Sequence, residues 1–177
     1  MDGSPTAITI RGPRLLLRPL TAPEIDDEWH EMVQADPMSI TVLPSQAAFR
    51  ERLGRTGHMV DGWLDLAIDL DGACIGRIQT FVPADGLPPG VFDVGIGLRD
   101  HARGKGHGRE AIADFTDWLF EHADAVRVQA PTDPENVAMR TVFDRVGWKL
   151  VETYRELDRT WLMYAITRER WEERTSR

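Results

Sequence analysis

One glycine-rich segment constrains this chain more than any other: residues 98–112 read LRDHARGKGHGREAI. Glycines occupy positions 104, 106 and 108, and arginine, lysine and histidine surround them. Alternate glycines give up backbone entropy and pack no side chain, so they mark a place where another group approaches the main chain closely. The cationic neighbours indicate that this group is an anion.

The flanking residues predict a strand–loop–helix unit around these glycines. Apolar residues precede the loop, and Ala111, Ile112, Phe115 and Leu119 follow it at helical spacing. The main-chain amides of such a loop, together with the helix N-terminus, form a cradle for a pyrophosphate. A flexible surface turn is the alternative interpretation.

Two better-known phosphate motifs do not fit this loop. A dinucleotide fingerprint needs glycine at position 109, where this chain has Arg109, and a Walker loop needs Gly-Lys-Ser/Thr after four free positions. The observed spacing of Arg103, Gly106 and Gly108 is Arg-x-x-Gly-x-Gly. The sequence therefore predicts an anion cradle outside both motif classes.

Periodicity and turn signals along the rest of the chain predict an α/β (α+β) fold. We expect a single domain over residues 1–177, with a mixed central sheet of about six to seven strands flanked by helices on both faces. The predicted order is β-αα-βββ-α-β-α-ββ-α. Its segments are a strand in 8–20 broken at Pro13, helices 22–36 and 45–57, a hairpin over 63–82, a strand 91–99, a helix 106–122, a strand 125–131, a helix 132–147 capped by Asp133 or Thr132, strands 148–157 and 160–167, and a short helix around Trp171.

Charge is distributed unevenly. The formal net charge is −8, and residues 19–76 carry eleven carboxylates against three arginines, which is the whole excess. The chain has no basic face for nucleic acid, so nucleic-acid binding is not expected. The acidic segment is either a solubility feature or a rim that attracts cationic ligands.

Other sequence features exclude several classes. No apolar run is long enough to span a membrane and no signal peptide begins the chain, so we expect a cytoplasmic protein without membrane contact. The single cysteine, Cys74, lies in an apolar run and is expected to be a buried strand thiol. The five histidines lack ligand spacing, so no metal site is predicted.

Two longer segments resemble the Gcn5-related N-acetyltransferase (GNAT) superfamily: DVGIGLRDHARGKGHGREAIADFTDWLF and VQAPTDPENVAMRTVFDRVGW. The opening LLLRPL, the GRI of the third strand and the closing LMYAITRERW are similar to the ribosomal-protein N-acetyltransferase (RimJ/RimL-like) type. The resemblance covers residues 8–172. It implies a GNAT fold and an enzyme that transfers an acetyl group from acetyl-coenzyme A, as co-substrate, to a primary amine.

The resemblance also implies roles for particular residues. The pantetheine arm would pair with the strand that carries Leu98, whose N–H would be the oxyanion donor, and Gly95 and Gly97 would mark a bulge or a close approach. Arg145 would lie near the adenosine end, or it is a solvated helix charge. The cofactor-binding residues implied are Leu98, Arg99, Arg103, Gly104, Lys105, Gly106, His107, Gly108, Arg109, Asn136 and Arg145.

The resemblance implies a candidate for the general base but none for the general acid. Asp93 occupies the position where relatives carry a carboxylate that takes the proton from the amine, and the alternative is a solvated, outward-facing Asp93. Met139 and Phe143 stand where relatives often carry Ser and Tyr, so the general acid has no candidate.

The acceptor is not specified by these residues, since it depends on loops around 35–45 and 83–90. A peptide or protein N-terminus is favoured, or another primary amine, and the charge pattern points to a cationic one. An acetyltransferase that acts on an aminoglycoside or a biosynthetic amine is a second hypothesis, because such an enzyme would use the same cofactor-binding residues. A non-catalytic acyl-coenzyme A binding protein remains as a third hypothesis, and a homodimer is left open.

Overall fold

The computed structural model describes residues 6–35, 45–83, 85–156 and 158–176, which form a mixed eight-stranded sheet with helices on both faces. The strands are β1 (Ile10–Arg11), β2 (Leu15–Arg18), β3 (Leu64–Leu70), β4 (Ala73–Phe81), β5 (Val91–Leu98), β6 (Arg127–Thr132), β7 (Lys149–Glu156) and β8 (Arg159–Thr167). The helices are α1 (Ala22–Ala35), α2 (Gln46–Leu53), α3 (His107–His122), α4 (Val137–Arg145) and α5 (Arg168–Thr175).

This order confirms the predicted succession of elements, with one strand more than expected. The opening segment forms two short strands, because the chain turns at Gly12 and Pro13 and the Gly12 N–H donates to the Leu15 carbonyl at 2.9 Å. The predicted hairpin turn is also confirmed: Asp71 and Gly72 both have positive φ, as a two-residue hairpin turn requires.

Helix α4 begins later than the sequence suggested. Neither Thr132, which ends β6, nor Asp133 caps it. The Asp133 carboxylate instead accepts from the Glu135 N–H in a preceding turn, and Asn136 is the cap, its side-chain oxygen accepting from the Met139 N–H at 3.1 Å. The prediction was wrong because two capping-type residues stand close together, and only the chain geometry decides between them.

Alternate residues of the central strands face opposite helix layers. Val94, Ile96 and Leu98 of β5 pack with α3 and α4 in the larger apolar core, which also contains the fully buried Trp148. The smaller core, on the other face, joins α1 and α2 to β3 and β4. Asp93, Gly95 and Gly97 therefore point to the α1/α2 face, because side chains alternate along a strand.

Strand β5 separates from β6 halfway along its length. The parallel pairing joins Val91, Phe92 and Asp93 to Arg127–Gln129, and it stops there among the described residues. The remainder of β5 stays paired on its other side with β4, from Val94 to Leu98. The sheet thus opens into a gap whose apex is Asp93.

Candidate active site

The glycine loop lies between β5 and α3, where the sequence placed it. Gly104 and Gly106 have φ of +72° and +83°, a left-handed conformation that only glycine adopts without strain, and Gly106 is the N-cap of α3. Next to them His107 is buried and its Nδ1 lies 3.2 Å from the Ala102 carbonyl, so its side chain packs inward. The first turn of a sixteen-residue helix consequently presents its free amides at the end of the gap.

Arg14 and Glu110 hold this loop, and no local sequence pattern predicted a role for either residue. Glu110, in the first turn of α3, accepts from the Arg14 N–H at 2.7 Å, the Leu15 N–H at 3.0 Å and the Arg14 Nε at 2.7 Å. Burial alone would raise the pKa of Glu110, but the N–H groups of Arg14 and Leu15 lower it. The guanidinium of Arg14 thereby stands beside Gly106 and reaches the Lys105 carbonyl at 3.5 Å.

Backbone groups of β5 face the gap at alternate residues. The Arg99 N–H donates to the Ile75 carbonyl of β4 at 3.0 Å, so the N–H groups of Leu98 and Ile96 point away from β4. The Leu98 carbonyl on that side accepts from Arg103 Nε at 2.9 Å. An extended arm entering from the glycine loop would find a free strand edge there.

The predicted bulge at Gly95 and Gly97 is wrong, since the register of β4 with β5 is regular from Gly76–Leu98 to Phe81–Asp93. A close approach does involve Gly97, through its backbone. A Cβ at Gly76 of β4 would clash with the Gly97 carbonyl oxygen, so Gly76 is the position of this strand pair that requires a glycine.

Asp93 is buried at the apex, so the solvated alternative does not hold. Its Oδ1 accepts from the Nε2 of Gln129 at 2.6 Å. This partner was missed, although Gln129 is a polar residue between the apolar Val128 and Ala130 of β6. Burial raises the pKa of Asp93, against the opposing effects of Gln129 and Arg127. A raised pKa makes the buried carboxylate at this gap a stronger base than an exposed aspartate, which suits it to accept a proton.

Asp93 and Leu98 are too far apart to serve one reacting centre directly. Five residues of extended strand span roughly 17 Å, which exceeds the reach of one bridging water. The Ile96 amide also faces the gap and lies about 10 Å along the strand from Asp93. A thioester near the apex would therefore meet the Ile96 amide before the Leu98 amide.

The side chains of the other predicted cofactor-binding residues do not all point towards the gap. Arg99 turns towards α1, where its Nε lies 3.1 Å from Glu31 and its Nη2 3.8 Å from Asp27. The remaining cationic side chains are exposed near or beyond the loop: Arg103, Lys105, Arg109 and Arg145. Gly108, in the first turn of α3, would place an added Cβ 3.5 Å from Leu98.

The two positions where relatives carry a possible general acid, Met139 and Phe143, are both apolar here. Phe143 is buried and stacked, with its ring 4.9 Å from that of Trp148 and 5.2 Å from that of Tyr164. Met139 packs against the same core. Neither carries a hydroxyl, so the general acid still has no candidate among these two positions.

The acidic segment is largely neutralised within the fold. Of its eleven carboxylates, Asp36 lies outside the described residues, and seven of the other ten face an arginine. These seven are Glu24, Asp26, Asp27, Glu28, Glu31, Asp65 and Asp69. The field at this face is consequently weaker than the sequence count suggests.

The structure describes only part of the loops that were expected to meet the acceptor. Of the loops expected to meet the acceptor, residues 36–44 and 84 lie outside the described residues, while 85–90 form a turn before β5. Within the described residues, no group of three or more His, Cys, Asp or Glu is placed to hold a metal ion, and no helix is long and apolar enough to cross a membrane. Cys74 is buried on β4, as predicted.

Asn136 has a structural role in addition to its predicted contact with the cofactor. Asn136→Ala removes the α4 cap and is expected to lower stability by about 1 kcal/mol, a fall in Tm of about 2–4 °C, and to weaken acetyl-coenzyme A binding. Asn136→Ser keeps a capping oxygen but lacks the amide. Thermal melting and calorimetry should show restored Tm and unrestored affinity; restoration of both would contradict the cofactor contact.

Comparison with known proteins agrees with this geometry. The family model for the acetyltransferase (GNAT) domain matches residues 14–149. The solved acetyltransferase from Agrobacterium tumefaciens is 28% identical, with a TM-score of 0.69, covering 95% of this chain and 99% of that one. No curated protein matches by sequence search.

Two further solved structures share the fold and are described as coenzyme A complexes. Aminoglycoside acetyltransferase AAC(6')-Ib, in complex with coenzyme A and kanamycin, is 18% identical with a TM-score of 0.70, covering 90% of this chain and 98% of that one. Mycobacterium smegmatis RimJ, in complex with CoA-disulfide, is 22% identical with a TM-score of 0.68, covering 92% and 87%.

The chain belongs to the GNAT acetyltransferase family. It is an enzyme of the N-acetyltransferase class.

Proposed function

We propose that the protein transfers the acetyl group of acetyl-coenzyme A to a cationic primary amine by direct attack of the amine on the thioester. The observation that carries this proposal is the free edge of β5, which runs from the glycine loop to the buried Asp93. An anion cradle at one end and a proton acceptor at the other match the two ends of the reaction.

In the proposed complex, the loop amides and the N-terminus of α3 bind the pyrophosphate, with Arg14 beside them. The pantetheine arm pairs along β5, and an amide of this edge stabilises the developing oxyanion; Ile96 is better placed than Leu98 to do so. Asp93 accepts the proton that the ammonium loses, directly or through water, and the amine then attacks the thioester. The thiolate leaves with little assistance, because free thiols have a pKa near 8.5.

A second candidate acceptor class, an aminoglycoside or biosynthetic amine, rests on the same cofactor residues. AAC(6')-Ib, which shares the fold, is described in complex with aminoglycosides, whereas RimJ belongs to the ribosomal-protein type. Steady-state turnover of acetyl-coenzyme A over aminoglycosides, polyamines and N-terminal peptides separates these classes. Binding without turnover of any amine would favour the non-catalytic alternative.

Ionic strength tests the cationic nature of the acceptor. The exposed carboxylates of Asp27 and Glu31 lie on α1, in the helix layer that we propose the acceptor approaches. Arg99 partly neutralises them. We expect the apparent second-order rate for a cationic amine to fall by about two- to threefold as salt rises to about 0.5 M, where screening acts within a few ångströms. A neutral amine of similar size is the control, and a salt-insensitive rate for the cationic amine would leave the acidic segment as a solubility feature.

A further inference from the structure

Strand β7 is the last strand of the sheet, and its outer edge is open. It pairs on one side only, with β8, in the order β6-β8-β7 of the described strands. Seven of its eight residues are exposed, so the described part of the chain leaves the strand uncovered. Leu150 and Val151 are large apolar side chains that remain 49% and 51% exposed. Such an edge presents unpaired N–H and C=O groups to which another strand can bind.

A bulge determines the face of the sheet to which each side chain of β7 points. The pairing with β8 shifts register just after Leu150, where Val151 is the extra residue. Leu150 lies opposite Tyr164, Thr153 lies opposite Leu162, and both partners belong to the larger apolar core. Leu150 and Thr153 therefore share the α3/α4 face, although they are an odd number of positions apart.

The strand can pair with a second copy of itself when the two run antiparallel about a two-fold axis at Thr153. The extra residue in each copy then keeps every facing pair on one face of the sheet, as pairing across two strands requires. The facing residues, one from each copy, are Lys149 and Glu156, Leu150 and Arg155, Glu152 and Tyr154, and Thr153 with Thr153.

The charges at the two ends of β7 are complementary in this register. Lys149 meets Glu156 twice, once at each end of the pairing. Within the described residues of one chain, no ion pair involves either side chain. A parallel second copy would instead place Lys149 on Lys149 and Glu156 on Glu156, and like charges directly opposite each other are destabilising. The order of charges therefore favours the antiparallel arrangement.

The same register also covers apolar surface. Arg155 lies opposite Leu150, so its methylene groups cover part of the exposed Leu150 side chain. Thr153 meets its own copy, and threonine pairs across strands are stabilising. A bulge and charged side chains discourage the pairing of an edge with unrelated strands. This edge therefore selects a strand with the same bulge and complementary charges, which is β7 of a second copy.

We propose that the protein forms a homodimer in which two copies of β7 pair antiparallel about Thr153 and join the two sheets into one. The pairing of one strand edge covers a small area, so the dimer is weak and its population depends on protein concentration. This inference is independent of the proposed function, because it uses no residue of the glycine loop or of β5.

A disulfide placed on the two-fold axis tests the register. In Thr153→Cys the two thiols face each other, and directly opposite residues of antiparallel strands have Cα atoms about 4.5–5.5 Å apart, within the range that a disulfide bridges. Mild oxidation should give at least about fivefold more covalent dimer than in Leu150→Cys, whose two Cα atoms lie about 14 Å apart in this register. The wild type, whose Cys74 is buried, measures background.

A charge swap tests the ion pairs in the otherwise native chain. Sedimentation equilibrium of the wild type should show a reversible monomer and dimer. Lys149→Glu places glutamates opposite each other at both ends and should weaken the dimer at least about tenfold. The double variant Lys149→Glu/Glu156→Lys restores opposite charges, and its dimer Kd should return to within about threefold of the wild type. Circular dichroism and Tm check that each variant is folded.

Three results would overturn the inference: a wild type that stays monomeric up to about 0.5 mM, equal crosslinking of Thr153→Cys and Leu150→Cys, or a double variant as weak as Lys149→Glu. A monomeric wild type would leave the β7 edge to solvent or to the strand of another protein. Failure of the proposed function is separate, because neither experiment contains acetyl-coenzyme A or an amine.

Discussion

Gly106→Val is expected to remove measurable acetyl-coenzyme A binding while the protein stays folded. Gly106 has φ of +83°, so valine forces the loop out of the conformation that aims its amides at the gap. Loss of two charge-assisted hydrogen bonds, at about 1.5–3 kcal/mol each, corresponds to an affinity at least about 100-fold weaker. Isothermal calorimetry measures the affinity, and circular dichroism checks the fold.

Gly86→Val is the matched control for backbone strain. Gly86 has φ of +75°, and no atom of the described residues lies within 4 Å of an added Cβ. It lies in the turn before β5 rather than in the glycine loop. We expect the same kind of destabilisation there with unchanged acetyl-coenzyme A affinity. Equal affinity in Gly106→Val and the wild type would contradict the cradle.

Asp93→Asn is expected to lower turnover about 10²-fold or more near neutral pH, the usual range for loss of a general base. The defect should shrink at alkaline pH, where more of the amine is already deprotonated. Because burial raises the pKa of Asp93, the wild-type rate should fall as pH decreases through that raised value. A pH-independent defect would mean that Asp93 does not take the proton.

The same substitution should not harm the fold. Burial raises the pKa of Asp93 in the folded protein, because the ionised form is disfavoured there. The free energy of unfolding of the wild type therefore falls as pH rises through that raised pKa. Asparagine still offers an oxygen to Gln129. Asp93→Asn is therefore expected to be at least as stable as the wild type at about pH 8, with the difference closing towards about pH 4. A large drop in Tm would assign Asp93 to structure.

Local signals predicted most of the fold and the glycine loop. Periodicity, the break at Pro13 and the turn at Asp71-Gly72 are short-range features, and the structure confirms each of them because neighbouring residues alone determine these conformations. The predicted cap of α4 was wrong because local signals do not distinguish Asp133 from Asn136, which are both good capping residues.

The site needed long-range information that no single sequence carries. Glu110 meets Arg14 across 96 positions, and Asp93 meets Gln129 across 36, so neither pairing leaves a local pattern. The face that Asp93 occupies depends on a strand register, where one residue of shift reverses every side chain. The charge count was similarly incomplete, because Arg18, Arg77 and Arg99 enter the acidic segment from outside it.

The central claim is tested most directly by product analysis of one reaction mixture that contains the purified protein, acetyl-coenzyme A and the amine panel. Mass spectrometry and thiol titration should find one acetylated nitrogen for each free coenzyme A thiol released, at a rate that Asp93→Asn reduces about 10²-fold near neutral pH. Thiol release without an acetylated amine, or an acetylated amine formed equally fast by Asp93→Asn, would contradict it.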